Sequence, residues 1–193
     1  MNPQRTRRRG PALENAILDA AWDVLVEHGY HGLTYEAVAA RAHTSRPVLY
    51  RRWPTRDDLL LATITRYRAA QPVEIPDTGD LRADAIGFLR NADAGLTGMI
   101  TLISVQLMDY FRDTGTNFTT LRDALGSPTP TPCEIIVARA VARGDLPDVP
   151  RSRRLLNLPF DLFRHDVLMT LRPLPAHSLT EIVDEIWLPL LRR

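Results

Sequence analysis

The stretch LTYEAVAARAHTSRPVLYRRWPTRDDLLL, residues 33–61, contains the start signals of three successive helices. Thr34, Ser45 and Thr55 are residue types whose side-chain oxygens cap helix N-termini. Pro47 lies in the first turn after Ser45, where its missing N–H costs little. Asp58 stands three residues after Thr55 and completes a capping box. These signals predict helices that begin at Tyr35, Arg46 and Arg56.

The first two of these helices are short and are joined by a tight turn. The second, from Arg46 to about Arg52, is basic and aromatic, and Pro54 ends it. Leu49 and Trp53 share one side of it and are expected to pack in the core. Two helices joined in this way form a helix-turn-helix DNA reader. The alternative is a helical hairpin whose arginines only form a solvated face.

The motifs around this stretch resemble the DNA-binding domain of the TetR-like repressor family in order and spacing. The similarity covers roughly residues 11 to 60, and the signature is one of the more specific helix-turn-helix patterns. The matching residues are His28-Gly29-Tyr30, Leu33-Thr34, Val38-Ala39, Ala42, Ser45, Val48-Leu49-Tyr50, Trp53-Pro54 and Arg56-Asp57-Asp58-Leu59-Leu60.

The DNA contacts of this domain follow partly from helix chemistry and partly from the resemblance. The helix N-terminus at Thr34 and Tyr35 can donate hydrogen bonds to phosphate. The resemblance implies that Tyr50 and Arg56 also contact the phosphate backbone. The resemblance also implies DNA contacts at the turn and on the helix that would read the major groove (about 45–52), namely Thr44, Ser45, Arg46, Pro47 and Arg51.

The turn departs from the family pattern at two positions. His43 stands where the family usually has Gly, and Thr44 stands where it has a hydrophobic residue. A left-handed His43 would be strained, although His tolerates this conformation better than most residues. We therefore expect that His43→Gly stabilises the domain.

The segments that flank the reader complete the predicted DNA-binding domain, residues 11–70. An amphipathic helix from about Ala12 to His28 precedes it, and Gly29 follows as a natural helix end. Residues 1–10 are expected to form a flexible basic arm that can lie along phosphates or enter a minor groove. Its DNA-binding residues would be Arg7, Arg8 and Arg9. A disordered charged tail without a DNA contact explains them equally well.

The charge of the chain is distributed unevenly. Residues 1–68 carry 11 Arg against seven acidic residues, whereas the remainder carries 13 Arg against 16, so +4 and −3 give the net charge of +1. A basic head on an acidic body suits a protein that places one end on a polyanion. The chain contains no Lys, so every basic side chain offers the bidentate geometry of Arg.

Several classes of protein are disfavoured by composition and motifs. Apolar residues make up 45% of the chain, and no apolar run approaches the roughly 18 residues of a membrane span. No secretory signal is recognisable, so we expect a soluble cytoplasmic protein without a membrane partner. A single cysteine, Cys133, excludes an internal disulfide framework, and an idle buried thiol is favoured over a redox sensor.

No cofactor, metal or catalytic motif is recognisable in the sequence. His28 and His31 are separated by the helix-breaking Gly29 and have no third ligand nearby, so we reject a metal site. Asp161 and His165 lie one helical turn apart, which a surface pair explains better than catalysis. We therefore expect that the protein is not an enzyme.

The second predicted domain spans residues 71–193 and begins after the Pro- and acid-rich segment QPVEIPDTGD, residues 71–80. It is entirely helical in pattern, so the predicted fold is all-α. Separate helices are expected around Leu81–Leu89 and Met99–Tyr110. Further helices are expected at Pro132–Arg143, behind the Pro-rich stretch Pro128–Pro132, and at about Pro150–Leu171 with a kink at Pro159. A last helix should open at the capping box of residues 178–181.

The resemblance implies that the last two helices form a four-helix dimer interface with a second copy. Its candidate residues are Leu156, Phe160, Phe163, Val167, Ile182, Ile186 and Leu190. The alternative is that these apolar faces close the domain's own core.

The middle helices would surround a pocket for a small, largely apolar effector. Its candidate residues are Phe88, Met99, Ile103, Gln106, Tyr110 and Phe111, which a packed core would also explain.

The resemblance therefore favours a homodimeric repressor that binds a palindromic operator in double-stranded DNA and is released by an unidentified small molecule. A ligand that prefers the other state of a two-state dimer would draw the equilibrium off DNA. The fourth helix, about Arg56 to Ala70, would be the moving part. An effector-less DNA-binding regulator or an activator is the main alternative, and a helical enzyme is a remote one.

Overall fold

The computed structural model describes residues 10–126 and 128–192, and no strand occurs among them. The all-α prediction is therefore confirmed. The proposed contacts of Arg7, Arg8 and Arg9 lie outside the described residues. The first seven helices are α1 (Pro11–Gly32), α2 (Tyr35–Arg41), α3 (Arg46–Arg52), α4 (Arg56–Ala70), α5 (Leu81–Gln106), α6 (Met108–Thr114) and α7 (Phe118–Ala124). The others are α8 (Pro132–Arg143), α9 (Arg153–Thr170), α10 (Ala176–Glu181), a π-helical stretch (Ile182–Trp187) and α11 (Leu188–Leu191).

The described residues form two compact units. The first comprises the residues up to Ala70 together with Val105–Leu125. The second comprises Gln71–Ser104 and the residues from Gly126 onwards. The sequence pattern placed one boundary after residue 70, whereas in the structure the segment that contains α6 and α7 belongs to the first unit.

The first unit is organised by α1, which packs against α2, α4 and α6. Its apolar face buries Ile17 and Leu25 completely, and Leu49 of α3 is equally buried. At the surface, the Arg66 guanidinium of α4 donates two hydrogen bonds to the Asp19 carboxylate of α1, at 2.8 and 3.1 Å. Helix α3 packs in turn against α2.

Local capping signals place the helices of the first unit where the sequence predicted them. The Thr34 hydroxyl accepts a hydrogen bond from the Ala37 N–H at 3.2 Å and caps α2. The reciprocal bonds of the predicted capping box at Thr55 and Asp58 are both formed, each at 3.0 Å. Within α1 the helical geometry is interrupted at Gly29, which has φ 66° and ψ −170°, a conformation open mainly to glycine.

The second unit has one continuous apolar core built from α5, α8, α9 and the C-terminal helices. Phe163 and Trp187 are its largest fully buried side chains. The predicted capping box of α8 is formed, because Thr131 and Glu134 exchange hydrogen bonds with each other's backbone N–H groups. An exposed bidentate ion pair between Arg82 and Asp184 links α5 to the π-helical stretch, at 2.6 and 2.7 Å.

Helix α9 passes through Pro159 without ending, and the structure provides a reason. Proline has no N–H, so the carbonyl of the residue four positions earlier, Leu155, loses its helical partner. The indole Nε1–H of Trp187 donates to that carbonyl at 3.0 Å. A buried tryptophan from the C-terminal segment thus replaces the hydrogen bond that Pro159 removes.

Three predictions about the helices of residues 71–193 are wrong. One helix, α5, spans Leu81–Gln106 where two were expected, because residues 90–98 contain no Pro to separate them. The short helix α7 was not anticipated, although Asn117 caps it through two hydrogen bonds. The C-terminal helix begins at Ala176, so Ser178 lies inside it and opens no capping box.

No described helix is by itself long and apolar enough to cross a membrane, although α5 and α6 together pass that test by length and composition alone.

Cys133 is a buried thiol, as the sequence favoured. Its removal from water raises its pKa to about 12, which outweighs any effect of the helix start at Pro132. In the unfolded chain the thiol ionises near its ordinary pKa. The buried thiol therefore contributes fully to the stability of the fold below that ordinary pKa, and its contribution declines as the pH rises towards 12.

We expect the folded protein to react with a thiol reagent at pH 8 far more slowly than the protein unfolded in guanidinium chloride. The two labelling rates are measured side by side by mass spectrometry. Labelling of native protein at the rate of an exposed thiol would contradict the burial of Cys133.

Candidate nucleic-acid interface

Helix α3 has one buried side and one exposed basic and aromatic side. Leu49 is fully buried and Trp53 is nearly so, which confirms their predicted place in the core. The other predicted DNA-binding positions on this helix face solvent, and Tyr50 is 49% exposed although it is a large aromatic residue. The exposed set, which we call the α3 face, consists of Ser45, Arg46, Pro47, Tyr50 and Arg51.

Tyr35, which was predicted to contact DNA, is buried and supports the α3 face. The Tyr35 side chain is buried, and its hydroxyl donates to the Trp53 carbonyl at 2.6 Å. Its ring stacks on Tyr50 with the ring centroids 4.0 Å apart. Burial also raises the pKa of the Tyr35 hydroxyl. Tyr35 therefore fixes the end of α3 and the ring of Tyr50, and only its backbone N–H remains for the predicted phosphate contact.

The turn between α2 and α3 has the predicted left-handed residue. His43 adopts φ 53°, and the N–H of Thr44 closes the turn by donating to the Ala39 carbonyl at 2.9 Å. Ser45 has the extended backbone of a capping residue, but its side chain makes no capping hydrogen bond to α3. The expectation that Ser45 caps through its hydroxyl is therefore wrong, while its position at the start of α3 is right.

Because His43 is left-handed, His43→Gly should make the protein more stable. Relief of roughly 1 kcal/mol of backbone strain exceeds the entropy that glycine adds to the unfolded chain, roughly 0.5 kcal/mol. The melting temperature should rise by about 1–2 °C. The control is His43→Ala, which keeps a Cβ and should give no rise. An unchanged or lower melting temperature for the glycine variant would refute the strain argument.

Two ion pairs involve the helices of the helix-turn-helix, and neither was predicted from the sequence. The guanidinium of Arg46, the first residue of α3, donates to the carboxylate of Glu36 on α2. This hydrogen bond holds the pKa of the Glu36 carboxyl below its ordinary value. Arg41 at the end of α2 makes a similar pair with Glu27 of α1, at 2.8 and 2.5 Å. An exposed carboxylate thus lies beside a residue expected to read DNA.

Arg56, at the start of α4, is held in place by an aromatic ring. Its guanidinium carbon lies 3.8 Å from the ring centroid of Tyr30, in cation–π geometry. The Tyr30 hydroxyl donates to Asp57 at 3.0 Å, and the ring meets Tyr110 of α6 edge-on at 5.1 Å. The sequence suggested Arg56 as a phosphate contact but gave no indication of Tyr30 as its support.

The predicted effector residues fall into both units. Phe88 is buried in the core of the second unit, and Met99 and Ile103 of α5 are partly exposed there. Gln106, Tyr110 and Phe111 belong to the first unit, where Gln106 donates to the Val26 carbonyl at 3.3 Å. Two surface grooves, of about 310 and 350 Å³, contain none of the six.

The predicted dimer residues separate into buried and exposed groups. Phe163, Val167 and Ile182 are buried in the core of their own chain, the alternative that the sequence left open. Ile186 is 40% exposed, and Leu156, Phe160 and Leu190 are partly exposed. Further apolar side chains lie exposed at the end of α9, namely Leu168 and Met169.

Asp161 and His165, which were considered for catalysis from the sequence, do not form the expected surface pair. Asp161 pairs with Arg164 at 2.8 Å and not, as expected, with His165. No cluster of three or more His, Cys, Asp or Glu side chains suited to a metal occurs among the described residues.

Both halves of the chain match known families. Residues 17–63 match the family described as "Bacterial regulatory proteins, tetR family". Residues 75–186 match "Tetracyclin repressor-like, C-terminal domain". The chain is 30% identical to a protein of Mycobacteroides abscessus named DNA-binding transcriptional repressor TetR, over 95% of this chain and 96% of that protein. It is 31% identical to an uncharacterised helix-turn-helix regulator of Mycobacterium tuberculosis, over 93% of this chain and 88% of that protein.

Solved structures share the fold. A fatty acid degradation regulator, FadR, from Bacillus halodurans superimposes with a TM-score of 0.66 at 17% identity, covering 97% of this chain and all of that one. A TetR-like transcriptional regulator from Rhodococcus sp. gives a TM-score of 0.53 at 20% identity, with the same coverage. The family matches and the full-length relatives together show that the chain belongs to the TetR family of bacterial transcriptional regulators.

Proposed function

We propose that the protein is a homodimeric transcriptional repressor that binds a palindromic operator through the α3 face and is released by a small, largely apolar ligand. The observation that carries the DNA-binding part is the construction of α3. Its apolar side anchors the helix through Leu49, while Arg46, Tyr50 and Arg51 remain exposed. Arginines on a rigidly held helix can read guanine edges in the major groove, and a tyrosine hydroxyl can bond a phosphate.

Phosphate contacts would position the reader on the duplex. Arg56 is suited to this role because the Tyr30 ring fixes its guanidinium without neutralising its charge. Thr34 and Tyr35 lie at the start of α2 and Thr44 lies in the turn, where the Tyr35 N–H and the two threonine hydroxyls can donate to a phosphate. Such contacts carry affinity and salt dependence, whereas base contacts carry specificity.

Dimerisation is supported by the apolar surface that a single chain leaves uncovered. Met169 is 64% exposed, and Leu168 and Ile186 are each 40% exposed. Phe160 and Leu190 are also incompletely buried. These residues belong to α9 and the C-terminal helices, the segments that the sequence proposed for a four-helix interface. One helix-turn-helix unit has too small a footprint for selective binding, so two copies would read two half-sites.

Release by a ligand is supported by the separate C-terminal domain, which the family match describes as tetracycline repressor-like. Met99 and Ile103 of α5 are partly exposed apolar residues that a mainly apolar ligand could cover. The ligand would act by preferring the dimer state whose reading helices do not match successive major grooves, about 34 Å apart. Such a regulator acts where bacterial DNA lies, in the cytoplasm.

The solution mass tests the dimer, and a reporter gene tests the direction of regulation. Sedimentation equilibrium should give twice the chain mass of 21.8 kDa, and Met169→Glu should shift the mass towards that of one chain. A monomeric wild-type protein would contradict the dimer.

A promoter overlapping the bound DNA sequence should be less active when the protein is expressed. Higher activity would instead identify an activator.

A further inference from the structure

The ion pair between Glu36 and Arg46 carries an inference that goes beyond the proposed function and rests on it. Glu36 lies in the first turn of α2, and Arg46 is the first residue of α3. Their side chains are 59% and 58% exposed, so solvent and any bound DNA can reach both. Arg46 belongs to the α3 face, and its hydrogen bond brings the Glu36 carboxylate of α2 beside that face.

A carboxylate is an unexpected neighbour for a DNA-reading arginine. Phosphates repel it, and most surfaces that bind DNA gain affinity by avoiding acidic groups. Its hydrogen bond with Arg46, however, uses one part of a planar guanidinium that has five N–H donors in a fixed arrangement. The other edge stays free for the O6 and N7 acceptors of a guanine.

We propose that Glu36 is a specificity-determining residue, which positions the Arg46 guanidinium for one guanine in each half-site. On the wrong sequence, Arg46 could bind a phosphate only by breaking its hydrogen bond with Glu36. The Glu36 carboxylate would then lie unpaired beside the DNA, so the bond also disfavours complexes with the wrong sequence. Specificity of this kind combines an attractive contact with a repulsive one. Glu36 lowers the overall affinity and increases the difference between right and wrong sequences.

The test is selection of bound duplexes from random-sequence DNA with wild-type protein and the variants R46A, E36A and E36Q. The R46A variant identifies the base pair that Arg46 reads. E36A should weaken the preference at that position about tenfold while binding to unrelated DNA becomes tighter. E36Q should retain part of the preference, because its amide oxygen can still accept a hydrogen bond from Arg46.

The matched control is E27A. It removes another exposed glutamate that is paired with an arginine in the same unit, so the change in net charge is the same. Binding to unrelated DNA should rise with this variant by charge alone, but the selected sequence should stay that of the wild type. Thermal melting of all variants confirms folding.

Two results would overturn the inference. One is an E36A selection that matches wild type at every position, and the other is identical behaviour of E36A and E27A. Either would leave the proposed DNA-binding function intact. Selection of no sequence by the wild-type protein would instead overturn the proposed function, and the role of Glu36 with it.

Discussion

Arg46→Ala should weaken binding to the operator by at least roughly 30-fold with little change in melting temperature. A bidentate contact with a base contributes about 1–3 kcal/mol of discrimination, and a dimer on an inverted repeat loses it twice, about 2–6 kcal/mol in total. The Arg46 side chain is exposed and its only described ion-pair partner is the equally exposed Glu36, so the fold loses little. Fluorescence anisotropy with a labelled duplex measures the loss.

Tyr50→Phe is the companion variant, because it keeps the ring that stacks on Tyr35 and removes only the hydroxyl. A lost hydrogen bond to phosphate should cost about 1.5 kcal/mol per half-site. Arg112→Ala is the control for charge, since Arg112 is 74% exposed on α6 and its ion pair among the described residues is a local one with Asp109. Operator affinities of both α3 variants equal to that of the control would rule out the assigned surface.

Trp187→Ala should destabilise the second unit by about 3–5 kcal/mol, the usual cost of deleting a fully buried large aromatic side chain. The melting temperature should fall by about 6–20 °C. Beyond the cavity, this variant leaves the Leu155 carbonyl without the indole N–H that replaces the bond removed by Pro159. Differential scanning calorimetry on the full chain measures both the temperature and the enthalpy of unfolding.

The role of the indole N–H can be separated from the volume of the ring. Trp187→Phe keeps an aromatic ring and removes the donor, which should cost about 1–3 kcal/mol for the unsatisfied carbonyl in addition to a smaller packing loss. In a Pro159→Ala background, residue 159 regains an N–H for the Leu155 carbonyl. The penalty of Trp187→Phe should then be smaller, and a double-mutant cycle measures the difference. Equal penalties in both backgrounds would show that the indole bond does not compensate for Pro159.

Local signals explain what the sequence could predict of the fold. Thr34, the Thr55–Asp58 box and the Thr131–Glu134 box act within a single helical turn, and the structure forms all three. Ser178 carries the same signal but lies inside a helix that begins at Ala176. Pro175, which has an extended backbone, takes the N-cap position three residues before Ser178.

The exposed residues of the α3 face were predictable from the sequence, but the contacts that arrange them were not. The bond from Tyr35 to Trp53 joins residues 18 positions apart, and the Arg46–Glu36 pair joins two helices. The Tyr30 ring reaches Arg56 across 26 positions of sequence. Such contacts depend on how helices pack, which periodicity and capping patterns do not specify.

Selection of bound duplexes from random-sequence DNA by the wild-type protein, at a fixed salt concentration, tests the central claim most directly. A dimer that reads DNA through two copies of α3 should enrich an inverted repeat whose half-site centres lie about one helical turn apart, or a multiple of it. Binding without any enriched sequence would contradict the account, because the α3 face would then provide only positive charge.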